Sequence, residues 1–203
     1  MTAEEFRKLL NEQSDAQMIG PCLHDDRAPY VFEQRPAAWD AFRDELVEEL
    51  HIARPDIRVV GSARLGFSTK PWNNLREFRD KSDIDVVIVH PDLFDQLWLA
   101  LLSAAYPRGS AVSKYGGLQQ RRNELYTGWL TPVEIRIDAK ILGRKAKPVL
   151  ELTARWFNAL KKASRHPPMR HEDVKGRLYR SWPHAELYHL HSLAELRKAL
   201  RHQ

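Results

Sequence analysis

One stretch of the chain, DIDVVIVH at residues 83–90, constrains the fold more than any other. Its Val-Val-Ile-Val run has the β-branched density expected of a strand buried on both faces. Such a strand needs a layer on each side, so the chain has to cover a sheet with helices. Two carboxylates, Asp83 and Asp85, stand at its entry at positions i and i+2. Alternation along a strand sends both side chains to the same face, where they form an acidic pair.

The rest of the chain supplies those layers. Residues 3–12 read as a helix with Thr2 as N-cap and Phe6, Leu9 and Leu10 on one face. Residues 14–36, punctuated by Gly20, Pro21, Pro29 and Pro36, read as an irregular connection. Trp39, Phe42, Leu46, Val47 and Leu50 then recur at helical spacing, and Pro55 is expected to end that helix. A strand over 57–60 follows, then a long segment to Ser82, the strand at 83–90 and a helix over 92–105. Residues 113–122 read as a basic, glycine-containing loop, and 129–138 (WLTPVEIRID) as a third strand with Val133, Ile135 and Ile137 on one side. Beyond Lys147 the pattern is helical through Val149, Leu152, Trp156, Phe157 and Leu160, and again from Leu187 to Leu200, with a proline break (RHPPM) between. The expected fold is an α/β or α+β core with helical flanks. Residues 1–147 are expected to make the core with its N-terminal helices, and 148–203 a C-terminal helical extension packed on it.

A length of 203 residues suits one such core and leaves no room for a second large domain. No apolar run approaches the roughly 18 residues that a membrane span requires. The N-terminus is acidic and amphipathic, unlike a signal peptide, so a cytoplasmic, membrane-free protein is expected. Cys22 is the only cysteine, which excludes an internal disulfide and a cysteine-built zinc site. The net charge of +5 favours an anionic partner. Basic residues gather around the acidic strand (Arg58, Arg64, Lys70, Arg76, Arg79, Lys81), at Arg121 and Arg122, and from Arg144 to Lys147.

A second segment, RVVGSARLGFS at 58–68, completes the chemistry. It places Gly61 and Ser62 directly after a strand, where free N–H groups and a hydroxyl can receive a phosphate oxygen, and Gly61 lets the chain turn close to that anion. Asp83 and Asp85 repel each other unless a cation sits between them. Magnesium suits the pair, because it takes hard oxygen ligands and completes its shell with substrate phosphates. The two segments together predict a triphosphate held between Ser62 and the acidic pair.

Gly61-Ser62 followed by Ser82-Asp83-Ile84-Asp85 on an apolar strand resembles the Gly-Ser…Asp-x-Asp signature of the DNA polymerase β nucleotidyltransferase superfamily, over roughly residues 57–140. The resemblance implies a small mixed sheet backed by helices and two magnesium ions, or manganese, on Asp83 and Asp85. It places Ser62, with Gly61, Arg64 and Ser82 around it, at the phosphates of ATP or another NTP. It also implies a third carboxylate on a later strand, for which Glu134 fits best and Asp138 is the alternative; Glu134 would then help deprotonate the acceptor. The implied activity is transfer of NMP to an acceptor such as RNA, as in toxin and antiviral defence enzymes. Oligonucleotide second-messenger synthases, antibiotic adenylyltransferases and catalytically silent nucleotide- or nucleic-acid-binding modules are the other outcomes. Residues 67–81 are longer than the usual spacing and would form a lid or an acceptor contact, and the C-terminal helices would bring Trp156 or Tyr179 to the base.

Plainer roles compete for the remaining residues. His24, His51, His90, His166, His171, His184, His189, His191 and His202 contain no HExxH pattern, and His189 and His191 are too close on a helix to share a face. Trp39, Trp98 and Trp156 lie in helical stripes and read as core, while Lys114, Arg121 and Arg122 read as a solvated loop or, if it lies near the cleft, as a contact for the γ-phosphate or an RNA backbone.

Overall fold

The computed structural model describes residues 1–79, 82–105, 117–135, 144, 146–165 and 174–201. Helix α1 (Ala3–Glu12) starts as expected at Thr2: the Thr2 hydroxyl accepts from the Glu5 N–H at 3.1 Å and the Glu5 carboxylate accepts from the Thr2 N–H at 2.7 Å. The expected irregular connection instead begins with a second reciprocal cap, Ser14 with Gln17, which opens the short helix α2 (Asp15–Ile19). A π-helical turn (Gly20–His24) and a 3-10 turn (Tyr30–Phe32) follow. Helix α3 (Pro36–Leu50) ends well before Pro55, because His51 adopts a left-handed conformation (φ 56°) and its N–H caps Val47.

Four strands form one mixed sheet: β1 (Ile57–Val60), β2 (Ile84–Val89), β3 (Trp129–Leu130) and β4 (Val174–Tyr179). Their order is β1-β2-β4-β3, with β2 antiparallel to β1, parallel to β4, and β4 antiparallel to β3. The helices are a single turn α4 (Ser62–Leu65), α5 (Pro91–Ala105), α6 (Gly117–Tyr126), α7 (Ala146–Ala163) and α8 (Trp182–Arg201). The architecture is the expected α+β sheet with flanking helices. None of the described helices is long and apolar enough to cross a membrane.

Three expectations are corrected. The segment from residue 148 onward is more than a helical extension, because β4 lies inside the sheet between β2 and β3. The strand predicted over 129–138 stops at Leu130, since Pro132, which has no N–H for a ladder, opens a 3-10 turn over Pro132–Glu134. The expected basic loop is helix α6 from Gly117 onward, with Arg121 buried and paired to Glu124; residues 113–116 lie outside the described residues.

Alternation gives the sheet two distinct faces. Ile57, Val59, Ile84, Val86, Ile88, Leu130 and Leu178 join the main core with Phe42 and Leu46 of α3, Phe94 of α5 and Trp156 of α7. The other face carries Val60, Val87, Val89 and Tyr179 against Leu23 and Ala185 of α8. A third cluster, Phe6, Leu10, Met18, Phe67, Leu75, Leu193 and Leu196, ties α1, α2 and α8 to the segment between α4 and β2. Trp39 and Trp156 are buried as expected, and Trp98 packs partly buried against the main core.

Candidate functional site

The second face of the sheet is where charge accumulates. In register across it lie Val60 beside Asp85 and Asp85 beside Lys175, then Arg58 beside Val87 and Val87 beside Arg177. Asp83 precedes β2 two residues before Asp85, and its Oδ2 meets the Lys175 Nζ at 2.6 Å. Asp85 is half-buried. Burial raises its carboxyl above the usual carboxylate range; Lys70 opposes this, Asp83 adds to it, and Arg177 and Lys175 oppose it again. Two acids and three cations therefore share one corner of the sheet.

Gly61 brings the Ser62 turn to that corner. Its backbone (φ 63°, ψ −141°) is open in practice only to glycine, whereas a Cβ there would stand at an ordinary 3.6 Å from Asp85 Oδ2. Conformation rather than space demands the glycine. The turn closes on the Gly61 carbonyl, which accepts from the N–H groups of Arg64 and Leu65 at 3.1 Å each. The N–H groups of Ser62 and Ala63 come before that closure and have no partner within the turn. Ser62 and Asp85 thus end adjacent strands at the same corner, as the pairing of Val60 with Asp85 requires.

The other predicted residues fall elsewhere. The Arg64 side chain, 7% exposed, pairs with Asp25 Oδ2 at 2.8 Å and donates to the Arg27 carbonyl, so it anchors the 25–27 loop instead of facing the acidic pair. The Ser82 hydroxyl accepts from the Arg79 N–H at 3.0 Å, and the Ser82 N–H donates back to the Arg79 carbonyl at 2.8 Å, closing the turn into β2. Glu134 sits in the 3-10 turn after β3, with β4 between that strand and β2. The Glu134 side chain, Asp138 and Lys81 lie outside the described residues. Trp156 belongs to the opposite face of the sheet, so it is corrected from a base-pocket candidate to core. Tyr179 is on the charged face, fully buried, and burial raises its hydroxyl pKa.

Sequence reasoning missed Lys175 and Arg177, because VKGRLY is short, glycine-interrupted and only half apolar. Its alternation of 175, 177 and 179 was the available signal. The Arg177 guanidinium lies 4.6 Å from the Trp129 ring centre and 4.3 Å from that of Tyr188. Arg177 Nε and His189 Nε2 are buried with no hydrogen-bond partner among the described residues. Burial, then Arg177 and His24, pushes His189 down to about 4.

Residues 66–79 form a braced hairpin. Ser68 N–H donates to the Arg76 carbonyl and Phe78 N–H to the Gly66 carbonyl, both at 2.8 Å, while Phe67 packs on Phe6 and Leu75 is buried. A groove of about 990 Å³ lies between α5 and α7, lined by Leu99, Ser103, Leu152 and Arg155. Those helices cover the opposite face, so the groove is separate from the acidic pair.

Among the described residues no group of three His, Cys, Asp or Glu side chains is placed to hold a metal. The donor set at the corner is two hard carboxylates, which fits an ion that takes one or two protein oxygens and fills its shell from substrate phosphates. The Asp83–Lys175 pair does not bar such an ion. With side chains 33% and 59% exposed it is worth about 0–1 kcal/mol. No family model, curated protein or solved structure matches the chain.

Proposed function

We propose that the protein is a magnesium-dependent nucleotidyltransferase that moves NMP from an NTP to an acceptor hydroxyl or phosphate, releasing pyrophosphate. One observation carries the proposal: Asp85, its carboxyl pKa raised by burial beside Asp83, stands at the Gly61–Ser62 turn within a ring of Lys70, Lys175 and Arg177. A half-buried acid in such a ring suits a site where phosphates and a cation exchange places with side-chain charges. Asp83 and Asp85 would hold magnesium, which when bound neutralises phosphate charge and the leaving pyrophosphate. Ser62 offers the hydroxyl and its own N–H to a phosphate oxygen, with the Ala63 N–H beside it. Lys70, Lys175 and Arg177 supply the counter-charge that orients the triphosphate. Glu134 and Asp138 remain the sequence's candidates for a third carboxylate.

Labelled NTPs, magnesium and total RNA test the proposal through product and pyrophosphate. Asp85→Asn is expected to lower turnover by at least about a hundredfold, the usual effect of losing one stabilising group. Turnover equal to wild type, or a wild type that releases no pyrophosphate with any NTP or acceptor, sinks it. The ion pair of Lys175 with Asp83 favours one second reading, a nucleotide-binding module without turnover. NTP binding that survives loss of both acids would select it.

A further inference from the structure

Trp72 is out of place for a protein with this much core. Its side chain is 78% exposed, whereas Trp39 and Trp156 are at most 6% exposed. Scattered exposed apolar groups are ordinary, but an indole carries the largest apolar area of any side chain and is seldom left in water without use. Its exposure is built in. The 3-10 turn Pro71–Asn73 presents it, and Pro71 fixes the backbone just before it.

The base of that turn is fastened on three sides. The Ser68 hydroxyl accepts from Asn73 Nδ2 at 2.9 Å and from the Lys70 N–H at 3.3 Å. The Asn74 side-chain carbonyl accepts from Arg7 at 2.7 Å, and Leu75, buried at 5% exposure, holds a left-handed backbone (φ 54°). A left-handed, β-unfriendly conformation in a leucine persists only where the surroundings enforce it. The braced hairpin therefore presents Trp72 outward, with no neighbouring aromatic ring stacked on it among the described residues.

The charge around this indole plate is mostly positive. Lys70, Arg76 and Arg79 are exposed on the same hairpin, against Glu77 alone among the described acids of residues 68–79. Lys70 is also the cation that acts most strongly on Asp85, so the plate begins two residues from the acidic corner. An exposed flat aromatic surface flanked by cations matches a chain of anions bearing flat unpaired bases: phosphates meet the cations and a base stacks on the indole. An acidic polypeptide would use the cations but leave the indole idle. A duplex has its bases already stacked.

We propose that the 66–79 hairpin binds single-stranded nucleic acid, with one base stacked on Trp72, and delivers the strand to the Asp83–Asp85 corner as acceptor. The delivery step rests on the nucleotidyltransfer reading; the binding step does not.

The two are separated by measuring binding without NTP or magnesium. Fluorescence anisotropy of a labelled 12-nucleotide single-stranded RNA, and of the DNA of the same sequence, is compared with a duplex and with polyglutamate. The proposal expects one or both single strands to bind more tightly than duplex and polyglutamate. Trp72→Ala should weaken that binding by about five- to 150-fold, the range of one base-aromatic stack, and Trp72→Phe should retain most of it. Because Trp72 is largely exposed, both variants are expected to keep the wild-type melting temperature. Unchanged affinity of Trp72→Ala, or equal binding of polyglutamate, overturns the proposal. A wild type that binds the single strand in this assay yet transfers no NMP to it overturns the delivery step and leaves the binding step standing.

Discussion

Asp85 is costly where it stands. Its carboxyl pKa is raised by burial, so the folded protein prefers it protonated more than the unfolded chain does. A raised carboxyl contributes stability below its folded pKa and loses it as pH rises through that value. At neutral pH and without metal its charge is therefore a net penalty. Asp85→Asn should raise the urea midpoint in chelated buffer; a lower midpoint would contradict the placement. His189 has the opposite sense. In the fold it stays neutral down to about 4, while its ordinary value is 6.5. Between those values only the unfolded chain takes the proton, so stability falls as pH drops from 6.5 to 4, by up to about 3 kcal/mol. Urea titrations at pH 7.5 and 4.5 should show a smaller drop for His189→Gln than for wild type.

At the scale of elements, β4 decides the site, and Gly176 decides how β4 packs. A Cβ at Gly176 would stand 2.7 Å from Trp156 Cζ2 and 3.0 Å from Leu160 Cδ1, so α7 could not keep its distance from the sheet. Gly176→Ala should cost about 1–3 kcal/mol of stability by overpacking. Adding Trp156→Phe should recover part of what the alanine loses, so that the double variant is more stable than the sum of the single effects predicts; strict additivity would show that the glycine is not held by this contact. The same strand carries Lys175 and Arg177 on its other face, so a displaced β4 also shifts the cations around Asp85.

For the whole molecule, a single core draws on both ends of the sequence. β2, the central acidic strand, pairs with β1 on one side and with β4, some ninety residues later, on the other. Arg197 of α8 donates to Asp15 Oδ1 at 2.6 Å and to the Gln13 carbonyl at 2.9 Å, joining the last helix to the first ones. A chain cut after residue 147 loses α7, β4 and α8 together. It should show no cooperative thermal transition by circular dichroism; a sharp transition would mean that the first 147 residues fold as an independent unit.

Local patterns made much of this visible beforehand. The capping box at Thr2, the helical stripe from Trp39 to Leu50, the apolar run of β2 and the glycine before Ser62 are each set by neighbours in sequence, so periodicity and backbone chemistry disclose them. The pairing of Val60 with Asp85, a contact between strands that folding makes, brings the Gly61–Ser62 turn beside the acidic strand. What stayed hidden depends on distant partners. Residues 174–179 have weak strand character and become a strand because β2 offers them an unpaired edge. Arg64 is basic and close to Ser62 in sequence, yet it turns to Asp25, whose position only the folded N-terminal segment sets. The acids and the turn were thus determined by sequence alone. The cations that face the acids, and the strand that carries two of them, were decided by tertiary structure, because charge complementarity and sheet pairing act between residues that only folding brings within reach.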